Sequence, residues 1–551
     1  MYAYVILGLV MAVLAMDLAA DVPPPDAAPT LAAIGAVAVA VLVAGLAISG
    51  YILLCRRAMD ADEQRFLRKV GVLGKTYRLS VVAAYAVVLF GLDWPALAAG
   101  WAPRGPWEVP AFLVTVAPFV VLLLVAWTAL FWADRRLRAV MFERAGAHAA
   151  VRSWTLPRYL EFMSRQYLLV VLVPAVVLMG LRDVVGWWLG PPETAPASAL
   201  VVLASLMAAV VLAGPWVRFC WRTEPLPEGL LRDRLLALAD RAGIRVGNIL
   251  VWRTNLSIVN GCMVGAVGPL RYILITDALL LSLSAEEVEA VFAHEVAHVR
   301  YRHVMLYLLM GAAGMSLAIL LGEAALILVP SIWTVYAVLG AVVLVYWGLG
   351  FGFVSRRCER ECDLYAVRAT VCPAGCSPPD AGARARDADS PDVDPCDQAP
   401  TSICEHRVGT FVTALRRIAR LNGAAERTRG WRHFSIARRC RFLLDILARP
   451  GSAAEVERRQ RRLKTAIVAG AALAAVVVGG FFALSGPTAL PEPGTATDLP
   501  ALDSDEPEDP AGPEDLAPHP DMWIIRFIDR DEVDPIALGP PQFHRHADTV
   551  A

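Results

Sequence analysis

The sequence predicts a mainly α, polytopic membrane protein with a small α+β unit set between and after its membrane helices. Three observations predict this. The chain has 551 residues, of which 57% are hydrophobic and only 19% charged; that is too apolar for an ordinary soluble enzyme. Apolar runs of about 17–25 residues, the length that crosses a bilayer, recur along it. Two arginine-rich segments, 218–303 and 355–464, break the series, and the first carries both helix and strand patterns. The formal net charge is −1, so no global field draws the protein to nucleic acid. Lysine is nearly absent (Lys69, Lys75, Lys464); arginine supplies almost all the positive charge, which reflects base composition and not chemistry.

Nine apolar runs are long enough to span, at roughly 2–16, 31–55, 79–99, 108–133, 166–181, 197–217, 304–328, 332–354 and 465–485. The first has no basic stretch ahead of it and no small-residue cleavage site, so it reads as a span and not as a signal peptide. The fifth runs into Arg182-Asp183, a pair expected at the interface. Basic residues set the orientation. The 56–78 loop holds Arg56, Arg57, Arg65, Arg68, Lys69, Lys75 and Arg78, whereas 17–30 has no basic residue and 100–107 only Arg104. The 134–165 loop is also arginine-rich. The alternation puts the N-terminus and both long soluble segments in the cytoplasm and the C-terminal tail outside. The expected organisation is a membrane domain of about six helices over 1–217, then 218–303, two helices over 304–354, a second soluble part over 355–464, a last helix over 465–485 and an acidic, Pro-rich, disordered tail over 486–551.

Within 218–303, "LPEGLLRDRLLALADRAGI" has Leu231, Leu235 and Leu238 at helical spacing and a stop at Gly243. "NILVW" and "RYILIT" read as strands, joined by the turn-rich "TNLSIVNGCMVGAVGP". A helix follows, its start marked by the capping box of Ser284 and Glu287.

That helix contains "AVFAHEVAHVRYRH". Residues four apart share a helix face, so His294 and His298 can point ring nitrogens at one ion, while Glu295 reaches a water beside it. This is the arrangement of a zinc hydrolase: two histidines, a third protein ligand, an open position and a carboxylate base. A chance match in a chain with nine histidines is on the order of one in a hundred. The competing reading is a membrane-proximal helix with surface histidines. A third ligand belongs on a separate segment. Directly after the eighth run comes "SRRCERECDLYAVR", where Glu359 and Asp363 share a face. Glu359 is placed to complete the site, and Asp363 to hold a ligand histidine by its other nitrogen. The competing reading is a solvated charged face.

These stretches, together with "VNGCMVG" and "ILITDALLLSLSAEEVEA", resemble the M48 membrane metallopeptidases, a family that includes the bacterial HtpX heat-shock proteases and the eukaryotic Ste24 prenyl-protein proteases. The likeness spans roughly 223–370 and continues more weakly to about 445. His303, five residues past His298, is typical of this family; the related M56 receptor-type peptidases usually carry Asp there. The resemblance implies a zincin-like α+β catalytic domain and one zinc ion per chain, bound by His294, His298 and Glu359. It also implies Glu295 as general base and Asp363 behind a ligand. "HFSIARR" resembles the family's His-Pro-Ser-…-Arg segment, which maps His433 and Arg439 onto residues that bind substrate or stabilise the oxyanion. Phe434 stands where the proline is usual, and a basic patch at the membrane surface is the other reading. The family often has Asn-Ala-Phe-Ala upstream; here it is Asn260-Gly261-Cys262-Met263, so Asn260 alone carries over as a substrate-binding residue. That loop, with the strand after it, is expected beside the substrate.

The expected function is a membrane-embedded zinc endopeptidase acting on membrane or misfolded proteins, in quality control as in its bacterial relatives. A narrow-specificity processing protease and a membrane sensor or scaffold with a degenerate site are the alternatives. The expected place is a bacterial plasma membrane. Six of ten cysteines lie between Cys358 and Cys404. In the Pro- and Asp-rich insertion at 371–406, Cys372, Cys376, Cys396, Cys404 and His406 suggest a second metal site, free or redox-sensitive thiols in a reducing cytoplasm, or disulfides if the topology is inverted. The tail carries one apolar island, "MWIIRFI" at 522–528.

Overall fold

A computed structural model describes residues 2–485, apart from 20–21, 58–61, 102–106, 145–154, 190–194, 329–331, 371–402, 429, 431 and 450. Cys372, Cys376, Cys396, the tail and its apolar island lie outside the described residues. The membrane region comprises α1 (Tyr2–Leu18), α2 (Ala27–Leu54), α3 (Glu63–Ala86), α4 (Trp94–Trp101), α5 (Glu108–Arg144), α6 (Leu156–Met163), α7 (Val170–Leu189) and α8 (Ala195–Cys220). The α+β unit follows: β1 (Thr223–Pro225), α9 (Leu230–Arg241), β2 (Asn248–Trp252), β3 (Gly261–Val264), β4 (Tyr272–Thr276), α10 (Asp277–Ser282) and α11 (Ala285–Arg300). Then come α12 (His303–Leu328), α13 (Ile332–Val342), α14 (Gly352–Ala369), α15 (Glu405–Leu421), α16 (Ile436–Ala448) and α17 (Gly451–Ser485). The protein is mainly α-helical, with one four-stranded sheet.

By length and composition, six helical stretches among the described residues can cross a membrane: Ala27–Arg57, Glu63–Gly91, Glu108–Met141, Leu156–Val185, His303–Gly322 and Gly451–Phe481. Tyr2–Leu18 and Ala208–Cys220 are shorter apolar helices. The second stretch, Glu63–Gly91, starts well before the expected 79. Asp62 caps it by accepting from the Arg65 amide at 2.9 Å, and the helix simply carries its basic residues out of the apolar zone. It breaks at Asp93, whose φ is +46°. The fifth run likewise continues past Arg182. Asp183 is buried and accepts from the amides of Glu108 and Val109 at 2.9 and 3.1 Å. It thereby caps the N-terminus of α5, where backbone donors otherwise lack partners. Tyr85 stacks on Phe119 within the membrane core and donates to the Thr115 carbonyl at 3.0 Å, so its buried hydroxyl is satisfied.

The sheet order is β1-β2-β4-β3, with β2 parallel to β4 and the outer pairs antiparallel. Alternate residues serve two cores. Ile249, Val251, Ile273 and Ile275 pack with Val288, Val291, Phe292 and Val296 of α11 and with Phe411 and Leu415 of α15. Leu250, Trp252 and Leu274 face Val217 and Trp221 at the end of α8, where the Trp221 and Trp252 rings stack at 3.9 Å. "NILVW" and "YILIT" are strands as expected, and the α9 helix stops at Gly243, whose φ of +70° suits glycine. Two features differ. The "turn-rich connection" contains β3, a four-residue strand whose Gly-Cys-Met-Val sequence lacks the alternation that marks a strand. And the strand after that loop, β4, lies inside the sheet; the exposed edge beside α11 belongs to β3. Gly261 at its start fits because a side chain there would lie 3.3 Å from Val291 Cγ1 and 3.7 Å from Glu295 Cγ.

Candidate metal centre

The capping box starts α11 as expected: the Glu287 amide donates to Ser284 Oγ, and Glu287 Oε2 accepts from the Ser284 amide at 2.9 Å. Two turns later the helix presents His294 and His298 on one face, ring centroids 5.2 Å apart. α14 supplies the rest. It continues the helical path that begins in α13, through a π segment at Val343–Phe351, so Glu359 is held on an extension of a membrane-zone helix. Glu359 is almost fully buried, yet it faces both rings: Oε2 is 3.5 Å from His294 Nε2 and Oε1 is 3.6 Å from His298 Nε2. Ligands about 2.0–2.1 Å from a tetrahedral ion sit roughly 3.3 Å from one another. The three side chains thus fit a single ion with little movement.

The other nitrogen of His294 settles its tautomer. Nδ1 lies 3.1 Å from Asp363 Oδ1. Arg439 donates from Nε to Asp363 Oδ2 at 2.9 Å and from its other arm to Oδ1. Asp363 is therefore a carboxylate, which only accepts, so His294 Nδ1 carries a proton and Nε2 faces Glu359. Arg439 is buried, and its fork is committed to Asp363 rather than to a substrate; NH1 is still 3.9 Å from Glu359 Oε2. His433 is half-exposed, with Nδ1 3.0 Å from Glu359 Oε2, so it sits at the mouth. Phe434, in the proline's place, lies beneath three guanidiniums, Arg360 at 4.4 Å, Arg438 at 4.5 Å and Arg356 at 6.0 Å. The contacts with Arg356 and Arg360 fasten the His433 loop to α14. Asn260 is exposed; its backbone exchanges hydrogen bonds with Thr276, at 3.0 Å from its amide to Thr276 Oγ1.

Electrostatics favour a cation here. Burial opposes the charge on Glu359, but hydrogen bonds from His294 and His433 outweigh it and hold its carboxyl well below the usual range. Burial alone would lower His294; the hydrogen bonds to Asp363 and Glu359 win and raise it to about 9. In the metal-free protein a proton on His294 thus offsets the two carboxylates, where a metal ion would otherwise do so. Burial, then the charge on His294, pushes His298 down to about 3. Burial pushes Glu295 up to about 7; the His294 charge opposes this and the Glu359 carboxylate adds to it.

Behind His298 lies a group to which the sequence pointed only through His303. His303 Nδ1 is 3.1 Å from His298 Nδ1, and His303 Nε2 is 2.8 Å from Glu361 Oε2. Glu361 pairs with Lys464 of α17 at 2.7 Å. Cys362 Sγ and one nitrogen of each of His294 and His298 lie within 4.8 Å of one another. The thiol is also 3.6 Å from His303 Nδ1. In the sequence, Glu361 looks like part of a charged run after a span, whereas Cys358 and Cys362 stand out as flanking Glu359 at helical spacing. Cys404 is buried, and His406 pairs with Glu286 at 3.2 Å, so neither lies at this centre.

Residues 225–376 match Peptidase family M48. Over this stretch the chain is similar to the M48 peptidases. Over 141 residues it is 29% identical to the "Protease HtpX homolog" of Aeropyrum pernix, covering 24% of this chain and 43% of that protein. The chain thus spans less than half the length of this curated relative. The crystal structure of S. mikatae Ste24p aligns with a TM-score of 0.48 and 14% identity, over 76% of this chain and 99% of that one. The M48 match contains His294, Glu295, His298, Glu359 and Asp363, and ends before His433, Arg439 and Lys464.

Proposed function

We propose that this M48 chain is a membrane-embedded zinc endopeptidase. One observation carries the reading: the Nε2 atoms of two histidines on α11 each face an oxygen of one buried carboxylate from α14, at 3.5 and 3.6 Å. His294 and His298 would hold zinc through Nε2, and Glu359 through an oxygen. The bound ion would supply Lewis acidity to water and to the scissile carbonyl. Glu295 would take the proton from the attacking water at a carboxylate oxygen and deliver it to the leaving amine. A base with a pKa near neutrality suits both transfers, and burial places Glu295 there. His433, half-exposed at the mouth, would donate toward the developing oxyanion. Arg439 acts as a positioning residue, through Asp363 and His294.

The substrate reading follows from β3. It is the sheet edge, and its first residue lies against Glu295. An extended peptide paired to that edge would bring backbone carbonyls past the base, with the exposed Asn260 side chain at one end. Membrane proteins and misfolded chains, which offer extended segments near the bilayer, are the substrates this position favours. A quality-control role, a cytoplasm-facing catalytic region and an outward tail complete the reading, with the positive-inside pattern supporting the orientation.

The test is Glu295→Gln. The purified variant should keep one zinc and lose proteolysis. Full proteolysis by a protease-free preparation of it would overturn the base assignment.

A further inference from the structure

Lys464 is one of three lysines in the chain and sits on α17 at the inner edge of the last apolar stretch. Its neighbours Leu463 and Ile467 pack against Leu306 and Met310 of α12 and against Phe351, Val354 and Cys358 at the start of α14. Its ammonium reaches both oxygens of Glu361, at 2.9 and 2.7 Å, and lies 3.5 Å from the Tyr301 carbonyl at the end of α11. The ammonium therefore touches α14 and the end of α11, while its flanking side chains pack on α12.

With His303 neutral, the hydrogen-bond polarity of this chain of groups follows from Glu361, and the Cys362 thiol, 3.6 Å from His303 Nδ1, is a further donor to that nitrogen. Glu361, paired with an ammonium, only accepts. His303 Nε2, 2.8 Å away, must then carry the proton, and neutral His303 has a bare Nδ1. His298 Nδ1, 3.1 Å from that nitrogen, must donate to it. The His298 proton is thereby fixed on Nδ1, leaving the Nε2 lone pair facing Glu359. His294 is oriented by Asp363 and Arg439; His298 is oriented by His303, Glu361 and Lys464.

We propose that Lys464, acting through Glu361 and His303, is the positioning residue for His298, so that metal affinity depends on how α17 is seated. This rests on the reading of His298 as a metal ligand. A charge at the edge of a bilayer helix, linked by three hydrogen-bonded contacts to a ligand nitrogen, ties the centre to the packing of the last span.

The experiment uses full-length protein in detergent, with zinc affinity from chelator competition and the visible spectrum of the cobalt-substituted form. Wild type, Lys464→Met, Lys464→Arg, Glu361→Gln and His298→Ala are compared. Lys464→Met should weaken zinc binding about 10–100-fold, the usual effect of losing such outer partners, and shift the cobalt bands. Lys464→Arg should restore most of both. If Lys464→Met does not fold, Glu361→Gln carries the same expectation, at several-fold. Unchanged affinity and spectrum in the folded variants would overturn the positioning role and leave the metal reading standing. Failure of wild type to bind zinc, or unaltered binding by His298→Ala, would instead defeat the metal reading itself.

Discussion

Arg439 grips Asp363 by both carboxylate oxygens, and Asp363 holds His294 by Nδ1 at 3.1 Å. A guanidinium from α16 thus sets the direction of a ring on α11. Lysine cannot reproduce a two-point grip. Arg439→Lys should therefore weaken zinc affinity about 10–100-fold while the protein stays folded. Asp363→Ala should be worse, because it leaves a buried guanidinium unpaired, at a cost of about 3–5 kcal/mol. Chelator competition and thermal unfolding distinguish the two.

That grip also marks the limit of what the sequence conveys. His294, Glu295 and His298 are legible because helix periodicity is local: four residues return to the same face whatever the tertiary structure. Glu359 and Asp363 are legible as a pair for the same reason, and their pairing with α11 is implied by the M48 resemblance. The Glu361–Lys464 contact joins residues far apart in sequence through helix packing, and no local pattern announces it. β3 is hidden for a different reason. It has only four residues, begins with glycine, and owes its conformation to β4 and α11.

Zinc binding should release about one proton near neutral pH. His294, at about 9, is protonated in the metal-free protein and must shed its Nε2 proton, whereas His298, at about 3, is already neutral. Affinity should rise about tenfold per pH unit up to roughly pH 9. Calorimetry of Glu295→Gln in buffers of different ionisation enthalpy isolates the His294 contribution. No proton release there would contradict it.

Glu295 should destabilise the metal-free protein at alkaline pH. Its folded-state pKa is raised to about 7, so the folded form holds the proton more tightly than the unfolded one, and stability falls as pH rises from about 4.5 through 7. Above that window the cost is at most ~3 kcal/mol. Glu295→Gln should therefore raise the apparent Tm of metal-free protein at pH 8 and have little effect at pH 4. An equal effect at both pH values would argue against burial as the cause.

Substrate pairing along β3 predicts a parity effect. Successive residues of a strand point their amides alternately toward and away from the neighbouring strand. N-methylation at alternate positions of a peptide substrate should lower kcat/KM about fivefold where an amide donates to β3, and little at the positions between, since one such bond is worth ~1 kcal/mol. Uniform effects would mean that the substrate does not pair with this edge.

X-ray absorption at the zinc edge addresses the centre most directly. One zinc per chain is expected, with a shell of nitrogen and oxygen near ~2.0–2.1 Å and no sulfur, abolished by His298→Ala. A sulfur shell near ~2.3 Å, which would bring Cys362 into contact with the metal, or full zinc occupancy in Glu359→Ala, would contradict it.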